Sequence, residues 1–267
     1  MVPSHRKQGL GAPVEQHDDG SRPGMHDLTI RYPTRAAAAV EISAAAAPES
    51  VELWKLMNDN QGGRWHVEGL RGGWLVAVLP SNRQKRLQTE LPSLLSGLEA
   101  AGIRDLQPDV DHGLPWSKVA DDLRVASARQ SAGTQFPGSV YLTIKEPIDR
   151  RAGFISPGSE AIVAWVGEFL GSLKQADVLL KLKRSGAEER HGFVLVPGFS
   201  IAPFPVAELL IRDDPPLPGA SPLLLEEVTH VWIASTWSAG RAFYWSPDIG
   251  WSTAAKPVED SPIRGSA

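Results

Sequence analysis

The chain contains no cysteine. That absence removes disulfides, thiolate zinc sites and cysteine nucleophiles together, and it fits a protein kept in the reducing cytoplasm. A basic excess is missing as well: 27 Lys and Arg stand against 31 Asp and Glu, a formal net charge of −4. This balance excludes a surface coated with cations for non-specific nucleic-acid binding, while a local basic cleft stays compatible with it. No run reaches the ~18 apolar residues of a membrane span. Residues 1–24, with His5, Arg6, Lys7 and the Asp18-Asp19 pair, lack the apolar stretch of a signal peptide. In VPGFSIA, Ala202 stands where a G-x-S-x-G elbow needs its second glycine, and neither a P-loop nor a G-x-G-x-x-G run occurs. The expectation is a soluble cytoplasmic protein with no membrane partner.

What is present is a normal globular core, at 42% apolar residues over 267 positions. Leu28–Tyr32 alternates apolar and polar side chains, and Ala37–Ser43 follows after Pro33 and Thr34, which predicts two strands joined as a hairpin. A short helix is expected from Pro48, carrying Val51, Trp54, Lys55 and Met57. The continuous run Trp74–Leu79 predicts a strand covered on both faces. Leu87, Leu91, Leu94, Leu95 and Leu98 recur at helical spacing, with Pro92 implying a kink or two helices meeting near Thr89. A helix over 117–128 and a strand over Ser139–Lys145 come next. Ser156-Pro157 then supplies an N-cap and first-turn proline for a helix bearing Ile162, Val166, Phe169, Leu170 and Leu173. Strands are expected over His191–Val196, His230–Ser235 and Arg241–Trp245. The fold class is therefore α/β, with a mixed sheet opened by an N-terminal β-hairpin and followed by alternating helices and strands. Residues 1–24 are expected as a flexible segment, 25–130 as an α/β unit containing the hairpin, and 131–267 as an α/β unit with Trp-rich C-terminal strands; one continuous domain is the alternative.

Two acids punctuate the hairpin: Asp27 opens the first strand and Glu41 sits inside the second. The order of an acid at a strand start, an acid within the next strand, a helix and then a buried strand resembles the PD-(D/E)XK nuclease superfamily, over roughly residues 26–79. The resemblance implies that Asp27 and Glu41 hold magnesium, a hard cation suited to carboxylate oxygens, which activates water at a scissile phosphate. The family places a lysine two residues beyond its Glu, where this chain has Ser43, and a Pro before its Asp, where this chain has His26. Lys55 is the candidate to return the missing positive charge. The plain structural alternative is that Asp27 caps its strand and Glu41 faces solvent at a sheet edge.

Most of the chain also resembles a set of bacterial proteins from high-GC genomes, on AVEISAAAAPESVELW, WLVAVLP, LPSLLSGLEAAGI, ADVLLKL before RHGFV, and VTHVWIAS. That resemblance implies an intact domain and no particular reaction.

Other groups carry weaker signals. Asp109, Asp111 and His112 offer three ligands in a Pro/Gly loop, where such residues usually bond their own backbone. His191 opens an apolar strand and is expected as a satisfied half-buried histidine. Lys181, Lys183 and Arg184 suit the negative end of a helix, with phosphate binding as the functional alternative. Trp232, Trp237, Trp245 and Trp251 crowd the last strands, as core or as a recognition surface. Three functions follow: a catalytically degenerate PD-(D/E)XK-like domain acting by binding a nucleic-acid or protein partner, an active magnesium-dependent nuclease using Asp27 and Glu41, or an interaction module built on the Trp-rich half.

Overall fold

The computed structural model describes residues 12–58, 64–81, 83–131, 136–145 and 158–256. The α/β class holds, with the hairpin in place, but the division of the chain differs from a boundary near residue 130. One unit consists of Met1–Ala45 together with Arg151–Ala267, and the other is Ala46–Arg150, inserted in sequence between them.

The first unit is built on a seven-stranded sheet. Its strands are β1 (Val14–Gln16), β2 (Leu28–Ile30), β3 (Ala38–Ala44), β9 (Arg190–Val196), β10 (His230–Ser235), β11 (Ala242–Ser246) and β12 (Gly250–Ala254), neighbours in that order. β1, β2 and β3 run antiparallel, β3, β9 and β10 parallel, and β10, β11 and β12 antiparallel again. Part of the polar lead-in thus becomes an edge strand, while residues 1–11 lie outside the described residues. Parallel neighbours need a crossover. Between β3 and β9 it comprises α4 (Glu160–Gly171), a 3-10 turn (Leu173–Gln175) and α5 (Ala176–Arg184), and between β9 and β10 it includes α6 (Phe204–Leu209). The start proposed at Ser156-Pro157 lies outside the described residues. Ile162, Val166 and Leu170 recur every four residues along α4 and are buried with Val194, Val231, Ile233 and Phe243 of the sheet in one core. Each such aliphatic side chain contributes about 1.5–3 kcal/mol relative to exposure.

The second unit holds a five-stranded sheet of β4 (Arg64–His66), β8 (Ser139–Ile144), β5 (Trp74–Val78), β7 (Val125–Gln130) and β6 (Asp105–Leu106), in that order. Its helices are α1 (Pro48–Asn58), α2 (Gln84–Ala100) and α3 (Pro115–Asp122). The leucine stripe of α2 packs with Leu53 and Met57 of α1 against Trp74, Val76 and Val78. α2 is one helix through Pro92 rather than two. β5 is covered on one face only, since Leu75 is 48% exposed, because its buried partners all lie on the side of Trp74, Val76 and Val78. The helix expected over 117–128 stops at Asp122. Arg124 takes φ 62°, a left-handed conformation that ends α3, and the remainder becomes β7. The helix and buried strand expected to continue the nuclease pattern at 48–79 therefore belong to this second unit. In the first unit the structural neighbours of β3 are α5 and β9.

Candidate functional site

Strand register decides where the two acids meet. Leu28 pairs with Val40 in the antiparallel β2–β3 ladder, so the next pair outward is Asp27 with Glu41, both on the face covered by α4 and α5. The ladder is finished there by side chains. The Asp27 N–H donates to Glu41 Oε1 at 3.1 Å, and Asp27 Oδ2 accepts the Ile42 N–H at 2.7 Å. Asp27 does cap its strand. Glu41 does not face solvent at an edge: it is 2% exposed, with β9 running parallel on its other side. Its cross-strand neighbour on β9 is Gly192, which presents no side chain against it.

A positive charge reaches Glu41 from a helix. Lys181 of α5 places Nζ 3.5 Å from Glu41 Oε2 and 3.7 Å from Asp177 Oδ2, one turn back on the same helix. Lys183, two residues further and so on another side of the helix, points away to Glu226 and Glu227 at 2.9 and 3.0 Å. Ser43 itself donates to the Gln175 Oε1 at 2.7 Å, both residues buried. Burial, followed by the neighbouring Asp27 charge, pushes the Glu41 carboxyl up to about 7, against the opposing pull of Lys181. Burial works against the Lys181 ammonium, but Glu41, Asp27 and Asp177 together leave its pKa raised. The result is a buried glutamate beside a half-buried aspartate, with one cation close by. Such a pair, carrying unrelieved like charge, has the electrostatics of a site for a divalent ion.

Lys55 takes no part in this cluster's described contacts. It lies in the second unit, half-exposed on α1, and pairs with Glu52 at 3.0 Å. The sequence suggests for Lys181 a helix-end role, with phosphate binding as the alternative, and no link to Glu41. The signal that separates it from Lys183 is the Asp177-x-x-x-Lys181 spacing, which puts both on one helical stripe.

A second polar cluster occupies the other face of the same sheet. Glu189, His191 and His230 bring ligand atoms within 4.8 Å of one another, and His191 Nε2 is buried without a hydrogen-bond partner, 3.5 Å from Glu189 Oε2. His191 is thus deeper and less satisfied than its sequence suggests. Burial, then His230 and Arg35, lowers its pKa to about 3, so the ring is neutral. Trp232 Nε1–H donates to His191 Nδ1 at 3.2 Å, which leaves the ring proton on Nε2. A metal needs a free in-plane lone pair on one ring nitrogen, and here the Nδ1 lone pair is taken up by the Trp232 N–H while Nε2 carries the proton. The rings of His191 and His230 are also stacked, 4.4 Å apart and 25° from parallel, so their in-plane lone pairs do not converge. Glu189 is engaged by the Tyr32 hydroxyl at 2.8 Å and by Arg35.

The remaining candidates resolve into ordinary structure. Asp111 Oδ2 accepts the Gln107 N–H at 2.8 Å within its own turn. Of the four C-terminal tryptophans, Trp251 is buried, Trp232 and Trp245 are half-buried, and Trp237 is 48% exposed on a turn. No helix among the described residues is long and apolar enough to cross a membrane. Comparison with protein families, with curated proteins and with solved structures finds no match.

Proposed function

We propose that the first unit is a magnesium-dependent, phosphodiester-cleaving domain of PD-(D/E)XK-like type. Asp27 and Glu41 hold the cation, and Lys181 supplies the charge that the family pattern assigns to the position of Ser43. The observation that carries the reading is the convergence on Glu41: the Asp27 backbone N–H donates to it at 3.1 Å, the Asp27 charge acts on it from the neighbouring strand, and Lys181 Nζ, 140 residues on, lies 3.5 Å away. The donor set fits a hard divalent ion, being two carboxylates whose mutual repulsion an ion relieves. When bound, such an ion activates water and neutralises charge on the phosphate. Asp27 offers its second carboxylate oxygen. Glu41 offers Oε2, and Lys181 supplies a positive charge nearby for an anionic substrate.

A second reading, a degenerate domain that binds a nucleic-acid or protein partner without cleaving it, is favoured by the sealing of Glu41 at 2% exposure. One assay separates the two. Plasmid DNA and single-stranded oligonucleotides are incubated with the full chain and magnesium, beside Glu41→Ala. Metal-dependent cleavage lost in the variant supports the first reading. Cleavage unchanged in Glu41→Ala rejects it, and retention of nucleic acid without cleavage supports the second.

A further inference from the structure

Resting on that assignment of Asp27 and Glu41, we infer that Asp177 is a positioning residue of the same site: it is the outer berth of Lys181, which occupies Glu41 before a cation arrives and yields to it by turning to Asp177. Lys181 Nζ sits almost midway between two acceptors of opposite character, 3.5 Å from Glu41 Oε2 and 3.7 Å from Asp177 Oδ2. Glu41 is sealed, whereas the Asp177 side chain is 75% exposed. The hydrogen bond to Glu41 is long, at 3.5 Å, and Asp177 at 3.7 Å makes only an ion pair, so neither holds the ammonium in a short charge-assisted bond of 2.7–2.9 Å. A four-carbon stem with rotatable bonds reaches either carboxylate by rotamer change alone. The spacing of four residues on α5, with the acid N-terminal to the base, is the favourable order for a helical ion pair.

Both acceptors are needed for this behaviour. In the inner position the ammonium neutralises Glu41 and blocks its Oε2. A divalent cation at Asp27 and Glu41 repels a lysine held there, and Asp177 gives that lysine a place one turn away. Lys181 keeps its charge throughout, and it stays within reach of a substrate phosphate. Asp177 touches neither cation nor substrate and acts only through Lys181.

Manganese(II) binding to the full chain, measured by isothermal titration calorimetry, tests this with opposite signs. Lys181→Met removes the competing charge and is expected to tighten binding by about tenfold or more, as loss of a nearby like charge should, while cleavage falls. Lys181→Arg keeps the charge and leaves affinity within about twofold, a guard against misreading a folding defect. Asp177→Asn removes the outer berth and weakens binding by about twofold, the worth of one helical ion pair. In the Lys181→Met background, Asp177→Asn is expected to change nothing, since its effect passes through the lysine. An equal loss in both backgrounds overturns the inference, because Asp177 would then act on the cation through space. Weaker binding in Lys181→Met overturns it too. Absence of manganese binding in the unsubstituted chain instead removes the metal-site assignment beneath it.

Discussion

Two buried glutamates, one in each unit, show how differently a fold can treat the same side chain. The Glu99 side chain in the second unit is 6% exposed and accepts from the Arg71 and Gly72 backbone N–H groups, the Trp74 indole and the Gln130 amide, at 2.8, 3.1, 3.1 and 2.9 Å. Burial alone would raise its pKa, yet those donors together leave it lowered. Glu41 in the first unit is as deeply buried but receives one backbone N–H and a lysine at 3.5 Å, and it faces a second carboxylate. Glu99 is a completed structural joint, tying the loop before β5 to α2 and β7. Glu41 is left short of positive charge. A buried charge kept in that condition reduces stability, and such groups cluster at functional sites.

The contrast can be broken most sharply at Glu99. Glu99→Ala strands four donors and is expected to lower the unfolding free energy of the second unit by about 4 kcal/mol, read by calorimetry. A loss under about 1 kcal/mol would mean that the network is ornamental. The next effect is the pH response of Glu41. Its folded pKa of about 7 exceeds the ordinary 4.5, so the folded state holds the proton more tightly. Stability from this group is complete below pH 4.5, falls between 4.5 and 7, and is flat above. The swing relative to Glu41→Gln reaches about 3 kcal/mol by linkage. Glu99, with a lowered pKa, gives the opposite slope: its contribution is present above its ordinary range and disappears as acid protonates it. Parallel slopes from the two sites would end the comparison. Asp27→Asn then sharpens it, because removing the facing charge brings Glu41 down towards 4.5 and shrinks the swing by on the order of 1 kcal/mol. Proton titration of Glu41 by NMR reads that change directly. The smallest effect belongs to Gln130→Ala, which deletes one of the four donors on Glu99 and costs about 1 kcal/mol, read from the denaturation midpoint.

The hairpin was legible because alternation in LTIRY and the Ala/Val-rich run AAAVEIS fix which side chains share a face, and sharing a face is what makes Asp27 and Glu41 meet. The rest of the site was not, because its other wall comes from residues about 140 positions away. Local pattern cannot report that β3 pairs with β9 across an inserted unit. The sequence offers Lys55, one helix further on, as a source of positive charge, and cannot show that Lys181 of α5 lies 3.5 Å from Glu41. The one-sided burial of β5 was hidden for a related reason. WLVAVL is apolar throughout, and only tertiary packing decides that Leu75 stays exposed while Trp74, Val76 and Val78 do not. Arg124 gave no warning either, since a left-handed non-glycine residue is set by context rather than by type.

All of this turns on whether the carboxyl pair between β2 and β3 captures a divalent ion. A manganese(II) titration of the full chain at neutral pH, followed by electron paramagnetic resonance, is expected to show one ion per chain, with that signal lost in both Asp27→Asn and Glu41→Gln. Free manganese at every concentration, or undiminished binding in either variant, would contradict the account.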